Sequence, residues 1–374
     1  MRIDAFRAEN FRNLAAFGFE PCGGVNLIHG ENGQGKTNII EALWMFTGCQ
    51  SFRTHRSGEL IGQGGPGAKI ETSFFAKGRP QTAQINIENK REAKLNGIAQ
   101  RTPRNLLGEF PAVVFSPDSL SVVKDGPSEK RRFMDIAVSQ IKPVYAAVLS
   151  RYLKTLAQRN ALLKMLAERR QDPRLLAAYD EQLAALGGRL AVYRHEYIDA
   201  LAEKAAVIHR GISSGSEALT VKYLPCVRCE GGTQQQYADA IAAALLKSRE
   251  SDIRRQATSA GPHKDDLQVC INSSCARSYG SQGQQRSCAL ALKLGEAAII
   301  GESAGEPPVA LLDDVMSELD AGRQAYVFGS FENWQVFITC CDPSALLRAS
   351  KGADFEIRAG SLVKQTNKGN QNKE

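Results

Sequence analysis

Apolar and polar residues alternate through the first 28 positions, as in Met1-Arg2-Ile3-Asp4-Ala5-Phe6-Arg7. That alternation predicts strands, with turns at Phe11-Arg12-Asn13 and Cys22-Gly23-Gly24. A short apolar strand, Val25-Asn26-Leu27-Ile28, leads into a predicted helix over 37–46 with Ile39, Ile40, Leu43 and Phe46 on one face. Strand patterns return at 70–75, 84–87 and 94–97, where Asn96-Gly97 marks a hairpin turn, and again at Ala112-Val113-Val114-Phe115. From Ser128 to about Ile212 the period becomes helical. Tyr145, Val148, Leu149, Tyr152, Leu153, Leu156 and Leu163 mark one apolar face, and Gln171-Asp172-Pro173 breaks the run. Leu176, Tyr179, Leu183, Leu186, Leu190, Tyr193, Tyr197 and Leu201 then recur at steps of three and four, the seam of a helix pairing with a neighbour. Gly187-Gly188 is expected to bend that second helix. The pair reads as a short antiparallel arm, although a plain helical bundle fits the same pattern. Further strands are predicted at 219–223 and 267–271. The uninterrupted Val309–Leu312 and Gln335–Thr339 segments suit a sheet covered on both faces. Residues 365–374 are polar and aperiodic, and are expected to be disordered.

This order predicts an α/β head built from 1–125 and 255–374, with a helical arm domain, 126–254, inserted between its halves. A chain of 374 residues has room for more than one core. Its 43% hydrophobic and 23% charged residues are ordinary for a soluble protein. No run approaches the roughly 20 apolar residues of a membrane span, and the N-terminus has no signal-peptide pattern, so a cytoplasmic location is expected. A net charge of +7 permits a polyanionic partner without requiring one. The nine cysteines are irregularly spaced, as reduced thiols would be. Cys226-Val227-Arg228-Cys229 with Cys270 and Cys275 could form a four-thiolate zinc site, but their separation favours ordinary thiols.

Two distant motifs carry the chemistry. Gly30-Glu31-Asn32-Gly33-Gln34-Gly35-Lys36-Thr37 is a complete phosphate loop between a strand and a helix. Its backbone N–H groups would face phosphates, Lys36 would lie along the β- and γ-phosphates, and the Thr37 hydroxyl would ligate Mg²⁺. Val309-Ala310-Leu311-Leu312-Asp313-Asp314 is an apolar strand ending in paired carboxylates. Asp313 suits a Mg²⁺ ligand and Asp314 the orientation or deprotonation of an attacking water; a helix N-cap is the bland alternative. Ser281-Gln282-Gly283-Gln284 opens a later helix and offers a second anion grip, or a cap and nothing more. A second grip on a chain that already has a phosphate loop suggests a nucleotide sandwiched between two copies.

These elements resemble the ABC-type ATPase heads, with Ser281, Gly283 and Gln284 at the signature position and Ser317-Glu318-Leu319-Asp320 at the D-loop. Closer still, nearly the whole chain resembles the RecF family of bacterial recombination mediators. The likeness rests on Phe6–Leu14, Gly30–Thr37, Ser51-Phe52-Arg53-Thr54, Phe115-Ser116-Pro117-Asp118 with Lys130-Arg131-Arg132, Gly261-Pro262-His263-Lys264-Asp265-Asp266-Leu267, Gly283-Gln284-Gln285-Arg286 and Leu311–Asp314. The resemblance implies a slow, DNA-stimulated ATPase with mixed sheets that dimerises head-to-tail around two ATP molecules and releases DNA on hydrolysis. It also implies action at single-strand gaps or single/double-strand junctions with RecO and RecR, loading of RecA, SOS induction, and a nucleoid-associated location. Two departures from the ABC pattern imply slow turnover: Asp314 replaces the usual glutamate, and Cys340 stands where transporter ATPases carry a histidine.

Basic clusters at Arg53, His55 and Arg56 and at Lys130, Arg131 and Arg132 are candidate DNA contacts, or solvated faces. His263 fits either a phosphate or trans-subunit contact or a turn residue. A transporter ATPase would lack the insert, a chromosome-organising head would need longer arms, and a metabolic kinase would not need Ser281.

Overall fold

The structure, a computed structural model, describes residues 1–54, 56–168, 172–229, 231–342 and 352–367; His55 and Gln171 lie outside them. The chain forms two units, Met1–Ser121 with Ala289–Glu374, and Val122–Cys288. In chain order the first unit opens with β1 (Arg2–Phe11), β2 (Leu14–Phe19), β3 (Val25–His29), α1 (Lys36–Met45), β4 (Ala68–Ala76), β5 (Arg79–Ile87), β6 (Arg91–Leu95), β7 (Ile98–Gln100) and β8 (Ala112–Phe115). The second contributes α2 (Pro127–Ile141), α3 (Pro143–Ala167), α4 (Leu176–Ile212), β9 (Leu219–Leu224), α5 (Gln234–Arg255), β10 (Asp266–Ile271), β11 (Ser274–Cys275), α6 (Ala276–Tyr279) and the start of α7 (Gln282–Ala304). The first unit closes with β12 (Val309–Asp313), α8 (Ala321–Ser330), β13 (Val336–Cys340), β14 (Gly352–Arg358) and β15 (Ser361–Asn367).

The first unit has two six-stranded sheets, β2-β1-β4-β5-β6-β7 and β15-β14-β3-β13-β12-β8. In the second, β14, β3, β13, β12 and β8 run parallel, and every residue of β8, β12 and β13 is buried. That is why these strands read as apolar runs without alternation. The first sheet is antiparallel and alternates, with Asn96 and Gly97 at φ 52° and 78° in the turn from β6 to β7. Helix α1 buries Ile39, Ile40, Leu43, Trp44 and Met45 together with the charged Lys36 and Glu41. Edge-on phenylalanine pairs, Phe6–Phe46, Phe74–Phe110 and Phe19–Phe337, tie the core together.

In the second unit α3 and α4 run antiparallel, since Arg159 meets Asp180 near their junction and Tyr145 meets Tyr193 at the far end. The second boundary falls at Cys288, not near 255, because β10 pairs with β9 and holds 266–271 to the arm side. Gly187-Gly188 lies within α4, which is continuous over its 37 residues. A Cβ at Gly188 would lie 2.5 Å from the Gln234 carbonyl and 2.9 Å from the Ala238 nitrogen, so the missing side chain serves the close packing of α5. Finally, Gln365, Thr366 and Asn367 belong to β15 instead of a disordered tail; 368–374 lie outside the described residues.

Candidate nucleotide site

The phosphate loop leaves β3 and enters α1 at the C-terminal edge of the parallel strands. Lys36 is 4% exposed, and its ammonium donates to the Gly30 and Glu31 carbonyls at 2.8 and 2.9 Å. The Cys341 thiol lies 3.6 Å from the same ammonium and donates to the Asn32 side-chain carbonyl. A Cβ on Gly30 (φ 149°) would sit 2.3 Å from the Ile357 carbonyl, so β14 can run beside the loop only if that position is glycine.

β12 ends beside this loop. Asp313 accepts from the Thr37 and Thr339 hydroxyls, each at 2.9 Å. Burial holds its carboxyl above the usual range; the two hydroxyls oppose that and Asp314 adds to it. Asp314 turns the chain at φ 53°, its N–H donating to Thr339 Oγ1 and its carbonyl accepting from Ser317. The structure thus brings Gly30–Thr37, Asp313 and Asp314 together from opposite ends of the chain. A hydroxyl, a carboxylate and a lysine on a backbone-lined loop fit a phosphate with a hard divalent cation, since such cations take oxygen donors. Cys340 is buried and its thiol is pushed up to about 12 by burial and then by Asp314, so it stays protonated at neutral pH and cannot replace a histidine base.

Ser281, Gly283 and Gln284 belong to the other unit. Ser281 and Gln284 form a reciprocal cap: the Ser281 N–H donates to Gln284 Oε1 at 2.8 Å, and the Gln284 N–H to Ser281 Oγ at 3.2 Å. Gln284 also donates to Glu217.

Apart from Arg56, the candidate DNA residues are more engaged than a solvated cluster would be. Arg53 binds Asn38 and the fully buried Glu41, which Arg12 holds from its other side. Arg56 is 85% exposed, 3.8 Å from Glu59. Lys130 is buried against Asp266 at 3.2 Å, Arg131 donates to the Asp265 carbonyl, and Arg132 pairs with Glu129 at 3.6 Å. Lys130 is therefore withdrawn from solvent.

Three supports of the loop went unread in the sequence. Asn13, in the β1–β2 turn, reaches Asn38. Gln34 accepts from the Ala359 N–H and, through its carbonyl, from the Gly360 N–H. Glu41 anchors Arg12 and the Ser51 hydroxyl. The Ala359-Gly360 turn was detectable as a small-residue break between two alternating runs; the Glu41 cluster, joining three separate segments, carries no local signal.

His263 is a partner within its own unit. Its Nε2 lies 3.0 Å from the Thr258 carbonyl, which can only accept, so Nε2 carries the hydrogen and Nδ1 accepts from the Tyr152 hydroxyl at 2.7 Å. Burial lowers its pKa to about 4, with Thr258 opposing and the Lys264, Arg131 and Arg159 charges assisting. A depressed folded pKa means the unfolded chain binds the proton first, so stability is lost as pH falls from about 6.5 to about 4. The difference amounts to about 3 kcal/mol when complete. Urea unfolding followed by helical circular dichroism is expected to show this loss in wild type and a flatter profile in His263→Gln. Equal slopes for the two proteins would rule His263 out as the source.

Residues 2–359 match the family described as the RecF/RecN/SMC N-terminal domain. The chain is 37% identical over 361 residues to the DNA replication and repair protein RecF of Acetivibrio thermocellus, covering 96% of this chain and 98% of the relative. It is 35% identical over 374 residues to the RecF of Clostridioides difficile, covering 99% and 100%. A solved structure of the recombination mediator protein RecF-ATP in the RecFOR pathway superposes with a TM-score of 0.90 at 34% identity, over 98% of this chain and 97% of that one. An SMC head bound to the C-terminal domain of ScpA, from Pyrococcus furiosus, shares the fold at a TM-score of 0.56 and 16% identity, over 98% and 97%. Among the described residues no helix is long and apolar enough to cross a membrane.

Proposed function

The chain belongs to the RecF family of DNA replication and repair proteins, and from that premise we propose that it is an ATP-controlled DNA clamp of recombinational repair. The observation that carries the reading is the Thr37–Asp313 contact, which joins the phosphate loop to the paired carboxylates in one oxygen-lined site. Lys36 exchanges its two loop carbonyls for β- and γ-phosphate oxygens of ATP. Thr37 and Asp313 hold Mg²⁺, which when bound neutralises phosphate charge and polarises the γ-phosphoryl group. Asp314 orients the attacking water and takes its proton. Ser281, Gly283 and Gln284 of a second copy close over the same nucleotide, giving a head-to-tail dimer.

Turnover is slow on this reading, because Asp314 is one methylene shorter than a glutamate and Cys340 cannot accept a proton near neutral pH. Slow turnover suits a timing switch: ATP closes the dimer on a single-strand gap or a single/double-strand junction, and hydrolysis opens it. DNA contact falls to Arg53 and Arg56 in the first unit and to Arg131 and Arg132 in the second, whose phosphate contacts are sequence-blind and weaken with salt; Lys130, buried against Asp266, is not among them. RecO and RecR are the proposed partners, with RecA loading and SOS induction as the outcome.

Sedimentation velocity with ATP, ADP or no nucleotide tests this. A dimer is expected with ATP alone, and Ser281→Arg is expected to remain monomeric while still binding ATP. The lost cap costs roughly 1 kcal/mol, too little to unfold a helix that continues through Ala304. A Ser281→Arg protein that dimerises as wild type does would remove the composite site.

A further inference from the structure

Cys270 and Cys275 face each other across the β10–β11 hairpin as register partners. The turn between these strands is two residues, Asn272 and Ser273, both left-handed at φ 47° and 70°. That is a type I′ turn, so the flanking Ile271 and Ser274 form the hydrogen-bonded pair. Cys270 and Cys275 then occupy the next, non-hydrogen-bonded position, where Cα atoms approach to about 4.5 Å and side chains lie closest. A disulfide accepts Cα separations of about 4.4–6.8 Å, so the backbone already has the geometry the bond demands. Along β10, Leu267, Val269 and Ile271 are buried while Cys270 shares the opposite face with Gln268 and Asp266. Both cysteines are free and only partly buried.

We propose that Cys270 and Cys275 form a thiol-redox site that exchanges with low-molecular-weight disulfides of the glutathione class to give a reversible cross-strand disulfide. Cys275 is the attacking thiol. Burial alone would raise its pKa, but the nearby Ser278 and Arg277 backbone, the Ser278 side chain and the Lys130 charge bring it below the ordinary cysteine value. Cys270 moves the other way, raised by burial and by Cys275. The Cys275 thiolate attacks one sulfur of the small disulfide and expels one small thiolate, leaving a mixed disulfide. The Cys270 sulfur, giving up its proton, then attacks Cys275 Sγ and expels the second. Two protein thiols are oxidised, one small disulfide is reduced to two thiols, and no other reactant is needed. The bond closes a ring immediately before α6 and the Gly280-Ser281 segment, so it restrains the chain leading into the signature helix.

The full-length protein, equilibrated in glutathione buffers from fully reduced to fully oxidised and then acid-quenched, tests the site. Peptide mapping without reductant is expected to recover a Cys270–Cys275 cross-link, lighter by two hydrogens and reversed by excess glutathione. Cys270→Ser is expected to stop at a glutathione adduct on Cys275. Amide hydrogen exchange over 276–281 is expected to slow on oxidation in wild type and not in Cys270→Ser. Both cysteines remaining reduced in the oxidised buffers, or oxidation confined to Cys226 and Cys229, would overturn the site. A cross-link that leaves exchange over 276–281 unchanged would overturn the restraint. None of these readouts requires ATP or a dimer, so they stand apart from the proposed clamp.

Discussion

Lys36→Met is expected to lower ATP turnover by roughly 10²–10³-fold, the loss seen when one preorganised charge-stabilising donor is removed from a reacting phosphate or oxyanion. Methionine keeps the length of the stem and its place beneath the loop, but has no hydrogen to give. The ammonium is at present divided between the Gly30 and Glu31 carbonyls, and both can turn to water when it is gone, since Glu31 is exposed and Gly30 only partly buried. Folding of the first unit is therefore expected to change little. Trp44 and Trp334 are the chain's only two tryptophans and both lie in that unit, so their fluorescence reports its unfolding alone. Titration with a fluorescent ATP analogue should show weakened binding, and sedimentation should show no ATP-dependent dimer. Wild-type ATP binding and dimerisation in Lys36→Met would refute the nucleotide site as assigned, whatever the family likeness.

The phosphate loop and the Asp313-Asp314 strand were legible because each is a contiguous signal, a glycine-bearing turn or an unbroken apolar run, and each run is the direct trace of a strand buried on both faces. The approach of Asp313 to Thr37 was expected from the motif pairing; the contact with Thr339 was not. Arm helices α3 and α4 were visible from their seam, which says nothing of what packs across it. Gly187-Gly188 looked like a flaw in an isolated helix, whereas the chain uses it to admit α5, a contact set by residues some fifty positions away. Helix α5 itself passed unread, although Thr233 and Gln236 form a reciprocal capping box and Tyr237, Ile241 and Leu245 recur at steps of four. Harder still were the buried charges. Arg159 and Arg194 lie on arm helices, where their charge alone would assign them to solvent. They are buried because their carboxylate partners come from other elements: Asp180 and Asp252 for Arg159, Asp135 and Asp265 for Arg194. No one-dimensional pattern encodes that kind of pairing.

Arg194→Met is the substitution expected to cost the second unit most, about 3–5 kcal/mol, the price of removing one member of a buried ion network. Arg194 is 2% exposed in its side chain and donates to Asp135, to Asp265 at 2.8 Å, and to the Pro262 carbonyl at 2.7 Å. It thereby holds the Gly261-Pro262-His263 block against the arm. Asp265 also accepts from the Tyr223 hydroxyl and the Cys226 N–H, yet burial keeps its carboxyl above the usual range even with the guanidinium against it. Without Arg194 that carboxyl rises further. A group whose folded pKa lies above its unfolded value favours folding as pH falls through the folded pKa. The deficit of Arg194→Met against wild type should therefore shrink in acid and be largest near neutral pH. Adding Asp135→Asn and Asp265→Asn is expected to return much of the stability, because one half-buried and one buried charge go while their acceptor oxygens remain. Urea unfolding by helical circular dichroism, with tryptophan fluorescence recording the first unit separately, measures all three proteins. A deficit independent of pH and untouched by the asparagines would place the damage in lost packing of the arginine stem instead of in the stranded carboxylates.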